Sequence, residues 1–174
     1  QAYKELNGGV NPPSGLMKGV LLNSADDLGN SGPDFKYGWG EVNALRAVQI
    51  LENQDYQEDS ISHLGNNTHN ISIPSGTEQL KVMVYWHDKE ASVSASIALI
   101  NNLDIILTSP GGTTYQPWVL DHTANATNLN QPATRGVDNR NNMEQVTLDN
   151  PTAGNYSLSV SGTSVPYGPQ TYYV

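Results

Sequence analysis

The side chains best suited to chemistry in this sequence are oxygen ligands, and they fall into two clusters. Asn102 and Asp104 lie two residues apart in a strand-like segment, as do Asn142 and Glu144, so each pair shares one strand face. Asp138 leads into the second cluster through a loop that also offers backbone carbonyls. Calcium takes about six to eight such oxygens. By composition alone a merely hydrophilic turn is favoured over a calcium site, and which of the five residues would ligate stays open.

Nucleophilic catalysis is not predicted for this chain. A catalytic triad needs a serine within hydrogen-bond reach of a histidine that a carboxylate orients. No serine lies in a sharp glycine-flanked turn that would expose a nucleophile, although the chain has four histidines, His63, His69, His87 and His122. His87 follows Trp86 at a strand end and merits inspection, and a hydrogen bond to a neighbouring residue is its preferred interpretation.

The charge balance narrows the range of partners. With 17 acidic against 8 basic residues, the net charge of −9 lacks the positive field that nucleic acids and anionic lipids attract. No apolar run is long enough to span a membrane, and the absence of cysteine excludes disulfides and thiolate zinc sites. We therefore expect neither nucleic acid nor membrane as a partner.

Residues 1–54 carry helical patterns. Ala2 to Leu6 has the character of a helix end, closed by two glycines, which predicts that further sequence lies upstream of Gln1. A second helix begins at Pro12-Pro13-Ser14 and should end near Asp26, and a third, largely apolar helix covers Leu45 to Leu51. Their apolar faces require a partner that this sequence does not contain.

An aromatic and glycine-rich segment, 33–43, joins the second and third helices. It interleaves Phe35, Tyr37 and Trp39 with glycines that permit tight turns. We interpret it as a buried corner rather than a flexible linker.

From about residue 60 the pattern changes to alternation, after a polar linker over 53–59. Turn signals separate the strand-like segments, which predicts six to eight short antiparallel strands in a sandwich or jelly-roll-like barrel. A long polar insertion over 116–135 should form a surface loop. The clearest strand-like segments are Leu80 to Trp86, Leu103 to Leu107, Val146 to Leu148, Tyr156 to Val160 and Tyr172 to Val174.

The order of motifs in the first fifty residues resembles the closing segment of a subtilisin-like serine protease domain. The matching residues are Leu22-Asn23-Ser24-Ala25-Asp26-Asp27, then Tyr37-Gly38-Trp39-Gly40-Glu41-Val42-Asn43-Ala44, then the helix Leu45 to Leu51. The remainder resembles the C-terminal β-barrel domain of bacterial subtilases, which is related to the P-domain of kexin and furin. That resemblance is carried by Leu80 to Asp88, Leu99 to Asp104, Asp138 to Glu144 with Val146, and Val165 to Gln170.

The resemblance implies a non-catalytic, C-terminal part of a secreted serine endopeptidase. Residues 1–54 would close the catalytic α/β domain and 55–174 would form the P-domain-like sandwich. The family's aspartate, histidine and serine would all lie upstream, so no catalytic residue is assigned here, and the complete protein would cleave protein substrates. The resembled subtilases bind calcium in this domain, which strengthens the calcium interpretation of the five oxygen ligands.

A calcium-dependent binding module for carbohydrate or protein is the alternative interpretation. In that case Trp118 and Tyr115, beside the polar loop, could stack on sugar rings. The helical first fifty residues argue against it, because a free-standing module has no use for them.

Overall fold

A computed structural model describes residues 1–174, with the helices concentrated at the beginning of the chain. Helices α1 Ala2–Leu6, α2 Ser14–Asn23 and α3 Ala44–Glu52 precede the strands, and the short helix α4 Ala126–Leu129 interrupts them. The strands are β1 Glu58–Ile61, β2 Asn66–Ile73, β3 Gln79–Trp86, β4 Asn102–Thr108, β5 Thr114–Tyr115, β6 Trp118–Val119, β7 Thr134–Arg135, β8 Met143–Asp149, β9 Gly154–Ser164 and β10 Gln170–Tyr173.

Two four-stranded sheets and one two-stranded sheet contain all of these strands. The first sheet has the order β1-β10-β3-β8 and the second β2-β9-β4-β5, while β6 pairs with β7. All pairings are antiparallel. Short helices with antiparallel sheets confirm the α+β class predicted from the sequence.

One hydrophobic core contains residues of both sheets. On β9, Tyr156, Leu158 and Val160 are buried while the serines between them are half-exposed, so the alternating pattern places one face in the core. Val84 and Trp86 of β3 belong to the same cluster and are fully buried.

Helix α2 covers the other face of β3, which explains why that strand is buried on both sides. Met83 and Tyr85 point away from the core and are nevertheless 4% and 2% exposed. A Cβ added at Gly15 would lie 2.5 Å from the Tyr173 ring, so only glycine permits this close approach. The segments 1–54 and 55–174 therefore share a packed interface, and their division into two domains remains a prediction.

The corner between α2 and α3 is held by a buried aspartate. Asp34 is 4% exposed, and its carboxylate accepts hydrogen bonds from the amides of Asn30, Lys36 and Tyr37 at 2.7–3.1 Å. The prediction of a buried aromatic corner is wrong for Tyr37 and for Phe35, which are 53% and 50% exposed. The turn is stabilised by polar contacts, and this chain leaves about half of each of these two residues exposed.

Other element predictions differ from the structure at their ends. Helix α2 ends at Asn23 rather than near Asp26, and strand β1 begins inside the expected 53–59 linker. The 116–135 segment contains β6, α4 and β7 instead of loop alone. No helix combines the length and the apolar character that crossing a membrane requires.

Candidate metal centre

Glu144 connects the two sheets at the place where the oxygen ligands were predicted. It lies on β8 of the first sheet, is 0% exposed, and accepts a 2.8 Å hydrogen bond through Oε2 from the backbone N–H of Ile105 on β4. Strand β5 pairs only with Leu107 and Thr108, so the Ile105 amide has no strand partner there. The glutamate replaces that missing partner.

Three buried oxygens in this region have no hydrogen-bond donor. They are Oε1 of Glu144, Oδ1 of Asn102 and Oδ1 of Asp104. The other atom of each group is occupied: Asn102 donates through Nδ2 to Oδ1 of Asn139 at 2.9 Å, and Asp104 accepts from the Thr163 hydroxyl. Buried polar atoms without partners are rare in folded proteins, so these three oxygens are open to a hydrogen-bond donor or to a cation.

The buried position of Glu144 also changes its ionisation. Burial raises the pKa of this carboxyl to about 9, and the nearby Asp104 and Asp138 carboxylates raise it further, while backbone hydrogen bonds from Ile105 and Asp138 oppose the rise. Without a cation, Glu144 is therefore protonated and neutral at pH 7.

The two remaining predicted ligands have other contacts. Asp138 is 4% exposed, and its carboxylate accepts from the backbone amides of Arg140 and Asn141 and from the Asn141 side chain, at 2.8, 3.2 and 2.6 Å. Asn142 donates through Nδ2 to the carbonyl of Trp86 at 2.6 Å. Asp138 thus organises the turn beside Glu144, and Asn142 ties that turn to β3.

The register between β4 and β9 shifts next to Asn102 and Asp104. Two residue steps on β4 face three on β9, from Ser161 to Ser164, so the extra residue of this bulge lies on β9. Asn102 and Asp104 keep their two-residue spacing on β4, and Oδ1 of each is buried without a donor.

The donor chemistry fits a hard cation. All three open atoms are carboxylate or amide oxygens, the type that calcium prefers over nitrogen and sulfur ligands. No group of three or more His, Cys, Asp or Glu side chains could hold a metal ion by itself. A calcium ion here would accordingly need the Asn102 amide and further carbonyl or water oxygens besides the two acids.

Sequence reasoning missed two residues that shape this region. Asp88 accepts from the backbone amides of Ile100 and Asn101 at 2.6 and 2.8 Å and so fixes the approach to β4. Asn101 is 1% exposed and donates to the Tyr167 carbonyl and to Gln170. No sequence pattern marks these contacts, because each joins segments that are separated along the chain.

The histidines do not form a triad. Nε2 of His87 lies 3.3 Å from the hydroxyl of Ser14, and no carboxylate contacts the ring. The buried His69 contacts Gln57 and the Tyr172 hydroxyl, both at 2.7 Å, without a serine. These contacts join parts of the fold to one another, as expected for ordinary histidines.

The aromatic residues proposed for sugar stacking are engaged with the protein. The guanidinium of Arg135 lies 3.5 Å from the centre of the Trp118 ring, and Gly32 also packs closely against that ring. Tyr115 packs against the main core. Both residues are half-buried, so less of each ring is free for a sugar than the binding-module interpretation expects.

Comparison with known proteins finds distant relatives only. No family model matches the chain. It is 23% identical over 195 aligned positions to the Serine protease/ABC transporter B family protein tagA of Dictyostelium discoideum, covering 100% of this chain and 11% of the relative. For tagB of the same organism the identity is 28% over 186 positions, covering 98% of this chain and 9% of the relative. The chain thus spans about a tenth of these relatives, and the similarity links it to proteins named as serine proteases.

Proposed function

We propose that this chain is the C-terminal, non-catalytic portion of a secreted subtilisin-like serine endopeptidase. The similarity to two proteins named as serine proteases supports a protease-associated role. The motif order in residues 22–51 supports the subtilisin-like assignment. In this proposal the complete protein cleaves peptide bonds of protein substrates, and the two sheets stack as a P-domain-like, jelly-roll sandwich around their shared core.

The observation that carries the proposal is an apolar surface on the helical segment. Leu45 in helix α3 is 70% exposed and Val42, just before that helix, is 59% exposed, although the opposite side of α3 packs against α2. Exposed apolar patches of this kind mark surfaces that a partner covers. The helical surface comprises Leu6, Val10, Leu21, Leu28, Phe35, Tyr37, Val42, Leu45 and Val48, all at least 38% exposed. An upstream catalytic segment of the same protein is the partner we assign to it.

Calcium is the second part of the proposal. Asn102, Asp104 and Glu144 would hold the ion, with Asp138 and Asn142 positioning the adjoining turn. When bound, the ion supplies the positive charge that the buried carboxylates lack. Because it would bind the folded state alone, it would stabilise that state by about 2.7 kcal/mol at a concentration a hundredfold above its dissociation constant.

The helical surface is tested by Leu45→Arg in two contexts. In the complete protein the arginine would be buried against the catalytic segment, so the melting temperature and the peptidase activity should fall. In the isolated chain 1–174 the same change affects a solvent-exposed position and should leave the melting temperature nearly unchanged. The control is Val93→Arg at a fully exposed position outside the helical surface, and equal effects of the two variants in the complete protein would disprove the assigned interface.

The calcium centre is tested by Glu144→Gln. Millimolar calcium should raise the melting temperature of chain 1–174 relative to chelator, and the variant should lose most of that increase. Glu144 must release its proton to bind the ion, so calorimetry in two buffers of different ionisation enthalpy should detect proton release at pH 7. The exposed Glu78→Gln serves as the charge-matched control. Identical melting with calcium and with chelator would contradict a calcium centre.

A further inference from the structure

A cavity separate from the metal centre lies between the aromatic corner and the first sheet. It has a volume of about 160 Å³, and Asp27 and Trp39 line it from the helical segment while Lys81 and Asp149 line it from β3 and β8. Side chains alternate along β8, so Asp149 lies on the opposite face from Glu144. The cavity thus joins the two parts of the chain on the outer side of the first sheet.

The cavity is lined by equal numbers of positive and negative side chains, which form no salt bridges with one another. Two cations, Lys81 and Arg135, face two carboxylates, Asp27 and Asp149, and none of the four forms a salt bridge within 4 Å. The attraction of both carboxylates opposes a lowering of the Lys81 pKa that burial causes. Such separated charges remain free to bind groups that enter between them.

Lys81 and the two carboxylates keep hydrogen-bonding capacity, whereas Arg135 stacks on Trp118 and donates to the carbonyls of Gln116 and Thr147. Lys81 uses one N–H, to the carbonyl of Ala25 at 2.6 Å. Asp27 accepts through one oxygen from the Gly32 amide at 2.8 Å, and Asp149 accepts through one oxygen from Gln79 at 2.8 Å. The remaining donors and acceptors surround the same small space.

The combination of positive and negative side chains around the cavity favours a ligand that both donates and accepts hydrogen bonds. A simple anion would meet the two carboxylates and a simple cation would meet Lys81 and Arg135, whereas a hydroxyl group donates to one set and accepts from the other. The half-buried Trp39 adds an aromatic surface for the apolar side of a ring. The volume is below the range of about 300–1,000 Å³ usual for drug-sized ligands, which limits the ligand to a single ring.

We propose that this cavity binds one neutral sugar residue, either free or at the end of a glycan. The site uses Trp39, Lys81 and the two carboxylates, and not the Trp118 and Tyr115 platform suggested by the sequence. It does not depend on the protease assignment or on calcium.

The three tryptophans make the test direct, because each indole N–H gives its own nuclear magnetic resonance signal. Trp39 and Trp118 line the cavity, whereas Trp86 is 0% exposed, donates to the Asn101 carbonyl and serves as an internal control. Isotope-labelled chain 1–174 would be titrated with D-glucose, D-galactose and N-acetylglucosamine up to about 100 mM, a range suited to millimolar affinity. At least one sugar should shift the Trp39 signal with saturation and leave the Trp86 signal in place.

Two comparisons make the outcome decisive. Asp149→Asn removes a charged acceptor and should weaken sugar binding about tenfold, which is typical of a hydrogen bond to a charged group, while Glu78→Gln removes an exposed charge outside the cavity and should have no effect. Saturable binding of phosphate or glycine without any sugar would overturn the proposal. So would non-saturating shifts, shifts that glycerol reproduces equally, or the absence of any shift.

Discussion

At the scale of single residues, two glycines of the corner both have positive φ angles and have different surroundings. Gly38 and Gly40 have φ values of +63° and +105°, which side-chain-bearing residues seldom adopt. A Cβ on Gly38 would meet nothing within 4 Å, whereas one on Gly40 would lie 2.0 Å from the carbonyl oxygen of Asp26. That carbonyl accepts the 2.8 Å hydrogen bond from Glu41 that closes the corner.

Alanine substitutions should separate conformational strain from steric exclusion. Gly38→Ala should cost about 1 kcal/mol of unfolding free energy, the usual penalty for a left-handed conformation. Gly40→Ala should cost more than about 3 kcal/mol because it also breaks the Asp26–Glu41 pairing. Urea denaturation of both variants measures the difference, and similar losses would show that the tight contact relaxes easily.

At the scale of elements, a buried polar network fastens the edge of the second sheet to the first. His69 on β2 contacts the hydroxyl of Tyr172 on β10, and Asn67 donates to the same hydroxyl at 3.0 Å and to Asp59 of β1 at 3.0 Å. Burial lowers the pKa of His69 from 6.5, opposed by the Asp59 carboxylate, and raises that of Tyr172 to about 12. The folded state therefore favours a neutral imidazole.

The network predicts a loss of stability in mild acid. The pKa of His69 is lower in the folded state, so the unfolded state binds more protons as the pH falls below 6.5. The contribution of His69 is full above that pH and declines below it by at most about 1.4 kcal/mol per pH unit.

Comparison of the denaturation of the wild type and of His69→Gln between pH 4.5 and 7.5 should isolate the contribution of His69 to the free energy of unfolding. In the metal-free protein the raised pKa of Glu144 makes this free energy change with pH in the opposite direction. The exposed His122→Gln is the control. A wild-type profile parallel to that of His69→Gln would refute a pH-sensitive network.

At the scale of the whole molecule, the helices and the sheets depend on each other. Lys81 of β3 donates to the Ala25 carbonyl, and Gln145 of β8 donates to Asn23 at the end of α2 at 2.9 Å. Met83 and Tyr85 lie under the same helix. One side of the helical segment therefore packs against the first sheet, and its other side carries the exposed helical surface.

Removal of the helices should expose the outer face of β3. A fragment of residues 55–174 should bind the hydrophobic dye ANS more strongly than chain 1–174 and melt at a lower temperature, because Met83 and Tyr85 lose their cover. Light scattering and dye fluorescence would report the change. A fragment that melts like the intact chain would mean that the helices contribute little to the sheets.

Local pattern determined much of the fold before any contact was known. The helices and the strands β4, β8 and β9 follow from apolar periodicity, because a half-buried element repeats its buried residues with its own period. Strand β3 is buried on both faces, and its β-branched and aromatic residues marked it as a strand. Strand β2 was missed since its residues Asn66–Ile73 are mostly polar, and it exists because β9 pairs with all eight of them.

For the candidate sites, as for the fold, some features were predicted from the sequence and others depend on the tertiary structure. The sequence alone included Asn102, Asp104 and Glu144 among five candidate oxygen ligands, because carboxylate and amide chemistry belongs to the residue itself. Only the tertiary structure decided that their oxygens are buried without donors, since this depends on β4 and β8 meeting from different sheets. The same reason explains why the cavity beside Trp39 was invisible in the sequence: its walls come from segments that are adjacent in space and distant along the chain.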